Sequence, residues 1–111
     1  MASTFKVKTS RDIGNTLTSV GGYTVPGSTT ATVIGLSLSN TTSQSVSADV
    51  ALNDGVNDTY LIKNVLLPKG STLVVVGGEQ KVVLETGYTI KIKSTSISSI
   101  DAVLSVLELT P

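Results

Sequence analysis

Few side chains in this sequence have the type and spacing for chemistry. Glu79 and Glu85 bracket a short apolar segment, and two carboxylates at a fixed separation can cleave a glycosidic bond. Sugar sites also need aromatic platforms, and one Phe and three Tyr provide few. Both acids read instead as solvated turn residues, since acid–base work needs position and environment together. Lys69 and Ser71 have the makings of a Ser–Lys dyad, but they lie in Pro68-Lys69-Gly70-Ser71, a turn sequence that keeps the ammonium hydrated. Asn53, Asp54, Asn57 and Asp58 cluster oxygen donors of the kind a hard cation accepts, without the spacing of an EF-hand loop. These are also the usual residues of hairpin turns, so whether the turn holds an ion stays open. Gly21-Gly22 and Gly77-Gly78 lack the Gly-Lys-Ser/Thr of a phosphate loop. The chain has no His and no Cys, which removes metal sites built on them, thiol nucleophiles, Ser-His-Asp triads and disulfides. The expectation is a protein with no catalytic residue, no cofactor, no metal and no small-molecule substrate, hence not an enzyme.

Charge narrows the partners. Eight Lys/Arg balance eight Asp/Glu, and charged residues make up 14% of the chain, against roughly 25% in an ordinary soluble domain. A neutral surface argues against nucleic acid, which needs clustered Lys/Arg. No apolar run approaches the ~18 residues of a membrane-spanning helix. The start, Met1 to Lys8, lacks the apolar core of a signal peptide, so synthesis in a cytoplasm is expected. Lys6, Lys8, Lys91 and Lys93 alternate with apolar residues on two strands. If those strands are neighbours, four ammonium groups share a face, either guarding an edge or meeting an acidic partner.

The elements that would carry these groups are strands. Sixteen Thr, fifteen Val and seven Ile make 38 of the 111 residues β-branched, a bias that suits a pleated sheet. Thr4 to Thr9 alternates, with Phe5 and Val7 expected on the buried side. Ser10 to Gly22 reads as a polar loop and Tyr23 to Val25 as a short strand ended by Pro26-Gly27-Ser28. In Thr29 to Asn40, Thr32, Ile34, Leu36 and Leu38 form the expected inward row. Ser45 to Asn53 is the cleanest alternation, with Val46, Ala48, Val50 and Leu52 on one side. Thr59 to Leu67 follows. Leu73 to Val76, continuously apolar, reads as a strand buried on both faces. Lys81 to Glu85, Tyr88 to Ser94 and Ile100 to Leu109 complete the set. Turn signals at the spacing of a sandwich or barrel predict an all-β fold. The form expected is a single antiparallel β-sandwich of eight to nine strands spanning residues 1–111, jelly-roll or immunoglobulin-like.

The last strand is apolar on both faces. Ile100, Ala102, Leu104 and Val106 form one row; Val103, Leu107 and Leu109 form the other. In a chain of zero net charge, a second apolar row points to a subunit interface, and Val103, Leu107, Leu109 with Lys6, Lys8, Lys91 and Lys93 are its candidate residues. Three segments add a resemblance: Leu66-Leu67-Pro68-Lys69-Gly70-Ser71-Thr72-Leu73, Gly78 to Gly87, and Ile90-Lys91-Ile92-Lys93-Ser94, with the closing Val103 to Glu108. Together they resemble small virion structural proteins of tailed double-stranded DNA phages, marine and cyanobacterial ones included. Where that pattern has Gly-Asp, this chain has Gly87-Tyr88. The resemblance implies a non-enzymatic part of the particle, in the virion, either decorating or cementing the capsid or belonging to the neck or tail. The implied partners are further copies of itself and other virion proteins, with no nucleic acid and no membrane. A carbohydrate- or receptor-binding sandwich at a fibre tip is the alternative.

Overall fold

The computed structural model describes residues 2–111, and its regular structure is nine strands with one turn of 3-10 helix. The strands are β1 (Ala2–Ile13), β2 (Thr18–Ser19), β3 (Thr30–Asn40), β4 (Val46–Asn53), β5 (Asp58–Leu67), β6 (Thr72–Val76), β7 (Val82–Leu84), β8 (Thr89–Ser94) and β9 (Ile100–Thr110). They form two antiparallel sheets. The first runs β1-β9-β3-β6, with β7 also paired to β3, and the second runs β2-β8-β4-β5. With the three-residue β7 set aside, every connection but the β4–β5 hairpin crosses from one sheet to the other, in interleaved Greek keys. This is the connectivity of a jelly roll and not that of an immunoglobulin sandwich.

The core lies between the sheets. Val33, Leu36, Leu38, Leu104 and Val106 from the first meet Val50, Leu67, Ile90 and Ile92 from the second, all at most 2% exposed. The alternation expected in β4 and β9 holds: Val46, Ala48 and Val50 are buried, as are Ile100, Ala102, Leu104 and Val106.

Four expectations change. In β3 the inward row is Ala31, Val33, Leu36 and Leu38, because the pairing with β9 shifts between Val33 and Gly35. One extra residue there reverses the parity of the strand's first half, which turns Thr32 to the outside. In β1 the faces are reversed: Phe5 is 73% and Val7 61% exposed. β6 is not buried on both sides, for it lies at the sheet margin and Val74 is 64% exposed. Finally, Tyr23–Val25 is irregular, and the segment before it is not all loop. β1 continues to Ile13, and β2 and the 3-10 turn Val20–Gly22 follow. Val20, Tyr23 and Val25 are nonetheless buried. They are held by hydrogen bonds from the Val25 N–H to the Tyr88 carbonyl and from the Gly87 N–H to the Val25 carbonyl.

Two polar side chains close the framework. Asn40, buried at the end of β3, donates from Nδ2 to the carbonyls of Gln44 (2.8 Å) and Leu67 (2.9 Å). Its Oδ1 accepts from the Thr42 N–H and hydroxyl. One amide thus shapes the β3–β4 turn and ties the two sheets together. Asp49 on β4 accepts the Asn64 N–H (2.8 Å) and the Lys63 ammonium (3.1 Å). Asn64 has φ 55° where the β4–β5 register shifts, so the carboxylate satisfies the N–H that the bulge frees from the ladder. Replacing Asn40 with Ala leaves the Leu67 carbonyl buried without its donor. Asn40→Ala is expected to lower stability by about 2 kcal/mol, measured as a drop in the urea midpoint with an unchanged slope.

Candidate functional site

β9 carries a charge on its inward row. Following Ile100, Ala102, Leu104 and Val106, the next inward position is Glu108, 6% exposed. The Tyr23 hydroxyl donates to its Oε2 (2.5 Å), and the Lys6 ammonium pairs with Oε1 (3.0 Å). Tyr23 is held in turn by Thr89, whose hydroxyl donates to the Tyr23 carbonyl (2.5 Å). The Lys8 ammonium stands 5.6 Å from the Tyr23 ring centroid. The hydrogen bond from Tyr23, aided by Lys6 and opposed by burial, holds the Glu108 carboxyl below the usual range. Burial, then the bond to Glu108, pushes the Tyr23 phenol well up, so it stays a donor. At Asp49 burial pulls upward, but the Asn64 N–H and Lys63 outweigh it and the carboxyl lies low. Donors thus engage both oxygens of each carboxylate. Glu108 was legible as the one acid in phase with β9's apolar row, but its partner Tyr23 comes from a segment without period.

The other candidates resolve into turn chemistry. The Ser71 hydroxyl donates to the Pro68 carbonyl (2.6 Å), with Lys69 exposed beside it. In the Asn53–Asp58 turn, Asp54 Oδ1 accepts from the N–H groups of Val56 and Asn57. Asn53 Oδ1 accepts from Gly55, and its amide donates to Asp58 Oδ1 (2.7 Å). Backbone N–H groups thus occupy Asp54 Oδ1 and Asn53 Oδ1, and among the described residues no three His, Cys, Asp or Glu side chains converge. Glu79 and Glu85 are both exposed around β7.

The proposed interface residues fall into three places. Lys6 and Lys8 belong to the first sheet and lean inward to Glu108 and Tyr23. Lys91 and Lys93 lie on the outer side of the second sheet, opposite Ala51 and Asp49. The four ammonium groups therefore do not share a face. Val103, Leu107 and Leu109 do lie together, on the outer side of the first sheet, and the register places unforeseen residues beside them. One row reads Phe5, Leu107, Thr32, Val83 across β1, β9, β3 and β7. A second reads Val7, Ser105, Gly35, and a third Thr9, Val103, Ser37, Val74. Ser3, Leu109 and Thr30 complete the end. No side chain in these rows is charged. Val83 is 57% and Val103 44% exposed, so an uncovered apolar surface runs across four strands. A shallow cleft of about 360 Å³ adjoins it, lined by Ser28, Thr30, Leu109, Thr110 and Pro111.

No protein-family model matches the chain, and no curated protein does. Solved structures do match in fold. A chain from Bacillus endospore appendages, described as a novel family of disulfide-linked pili, superposes with a TM-score of 0.58 at 15% identity. The match covers 98% of this chain and 87% of that one. A chain from the acid-stable capsid of Helicobacter pylori bacteriophage KHP30 gives a TM-score of 0.57 at 14% identity, over 100% of this chain and 90% of that one. At such identities the likeness is one of fold.

The Glu108 cluster predicts a pH dependence. A carboxylate whose folded pKa lies below its unfolded value, about 4.3 for Glu, stabilises the fold above that value. It loses the contribution as pH falls through the folded pKa. Tyr23→Phe removes the principal donor and is expected to cost about 1–2 kcal/mol at pH 7. The gap between the two proteins should narrow at pH 3, where a protonated carboxyl is the weaker acceptor. Urea unfolding at both pH values measures it, and a gap of constant size would show that the hydroxyl does not act through the carboxylate.

Proposed function

We propose that this chain is a non-enzymatic structural protein of a phage virion, a small capsid component that decorates or cements the shell through repeated protein–protein contacts. The observation that carries this reading is the outer face of the first sheet. It is free of charge across rows from β1 to β7, with Leu107, Val103, Val83 and Val74 among its apolar members. Four strands about 4.8 Å apart, read over seven residues from Ser3 to Thr9, present a flat area of roughly 450 Å². That is over half of the ~800 Å² each partner contributes to a standard interface. About half of the residues on that face are apolar, and exposed apolar patches on this scale are often functional.

One of the two structural likenesses supports a particle component, and the other supports assembly more generally. The KHP30 capsid chain matches over 90% of its length, so a chain of nearly this size on this sandwich does serve in a phage capsid. The pilus chain belongs to a family described as disulfide-linked, whereas this chain has no Cys and would assemble without covalent links. The phage would be a tailed one with double-stranded DNA, as the sequence resemblance implies. A protein that binds only the assembled lattice stabilises it by mass action. Symmetry repeats each modest contact over the shell.

Val103→Asp and Leu107→Asp each place a carboxylate in the uncharged face. Each is expected to reduce incorporation into purified particles at least about tenfold, while circular dichroism and the melting temperature change little. Copy number by quantitative mass spectrometry of the particles reads the effect, and wild-type copies in the hundreds are expected. Normal incorporation of both variants, or a wild-type copy number of a dozen or fewer, would overturn the capsid reading.

A further inference from the structure

The sandwich has four free margins, and three are broken. β2 is two residues long. β5 is interrupted by its bulge, with Asn64 at φ 55°. β6 and β7 share the far margin of the first sheet but are separated by residues 77–81. β1 is different. From Ala2 to Ser10 it pairs with β9 without a register break, and its other edge faces no strand. Natural sheets guard such an edge with lysines. The two lysines here are drawn off it, Lys6 to Glu108 and Lys8 over Tyr23. Further along, the 3-10 turn lies against the strand. The Gly21 N–H donates to Ser10 Oγ (2.7 Å). At φ +59° Gly21 sits so close that an added Cβ would be 3.0 Å from Lys8 Cβ and 3.2 Å from the Thr9 carbonyl oxygen. The uncovered backbone therefore runs from Ala2 to Val7, beside the exposed side chains of Phe5 and Val7.

We infer that this edge pairs antiparallel with β1 of a second copy about a twofold axis at Phe5, joining the two outer faces into one sheet. An exposed sheet edge is completed by another extended strand, and among the described residues only β1 presents a free edge without a break. Because residues directly opposite one another share a face, both apolar faces lie on the same side only when opposing residue numbers have the same parity. With the axis at Phe5, Phe5 opposes Phe5, Ser3 opposes Val7 and Thr4 opposes Lys6, all within the free stretch. An axis at Lys6 would set two ammonium groups against each other, which is unfavourable, and would need Thr9, which lies under the turn. An axis at Thr4 would set Ala2 against Lys6 and Ser3 against Phe5, and so uses a shorter part of the free stretch among the described residues. The contact is isologous and adds to the uncharged face instead of covering it. It is a property of the isolated chain and does not rest on the capsid reading.

Phe5→Cys tests it, since the sequence has no other cysteine. Under mild oxidation the purified Phe5→Cys protein should form a disulfide-linked dimer. Ser3→Cys and Val7→Cys should each stay uncrosslinked alone and crosslink when mixed. In sedimentation equilibrium Phe5→Lys should weaken the wild-type dimer at least about tenfold, through like charges and the lost aromatic pair. An equimolar mixture of Phe5→Lys with Phe5→Glu should restore it. A wild-type chain that stays monomeric at millimolar concentration would overturn the inference, and so would a dimer that crosslinks through Val83→Cys but not Phe5→Cys. Neither result touches the particle-incorporation test.

Discussion

The parity of β9 governs one whole side of this molecule. In an antiparallel pair, residues opposite one another share a face, so a neighbour's inward residues are dictated by β9's inward row. That row is Ile100, Ala102, Leu104, Val106 and Glu108, and the register sets Lys8 against Leu104 and Lys6 against Val106. Taken alone, β1 would bury Phe5 and Val7. Pairing turns it over, because β9 has far more apolar area to hide on its inner side than β1 has on either. Glu108 makes the inversion tolerable. A carboxylate at that position gives Lys6 a partner, and the Tyr23 phenol covers the remainder of the charge. Glu108 would not be acceptable there alone, since an unpaired buried charge is costly, whereas Lys6, with its side chain 41% exposed, keeps access to water.

The same logic separates what could be read from the chain from what could not. β4 and β9 were legible because their apolar rows keep strict period over eight or more residues, and period survives without knowledge of neighbours. β3 was half legible. Its bulge between Val33 and Gly35 reverses the first residues, and nothing local in Thr-Val-Ile-Gly marks where the extra residue falls. β6 misled for another reason. Continuous apolar residues mean burial on both faces only when something covers the outer one, and here nothing in the described chain does. The segment with Val20, Tyr23 and Val25 had no period to read, yet it seals the sandwich margin and provides the hydroxyl for Glu108.

Polar residues that invite a catalytic reading carry out backbone work. Asp49 is buried and charged, as many catalytic acids are, but its oxygens are taken by a bulge N–H and a lysine. Asn40, Asp54 and Ser71 likewise bond turn groups. Among the described residues, no buried side-chain nitrogen or oxygen lacks a hydrogen-bond partner. Here the polar groups rigidify bends between strands, and the irregularities they stabilise fix the register of each sheet.

Charge is then distributed in a way that the composition alone conceals. Equal numbers of acids and bases suggest an evenly mixed surface. The register shows segregation instead: Lys91, Lys93, Asp49 and Lys63 gather on the outer side of the second sheet, while the rows of the first from Ser3 to Thr9 carry none. A charged face resists association by holding water and by repelling its like. An uncharged one with Thr and Ser between its valines and leucines carries little such penalty, and its hydroxyls can bond a partner's backbone. The inversion of β1 sharpens this division, since it moves two ammonium groups off the first sheet's outer face and puts Phe5 and Val7 in their place. The apolar inner row of β9 thus sets where charge lies on the first sheet, and Glu108 accommodates the lysine that this register turns inward.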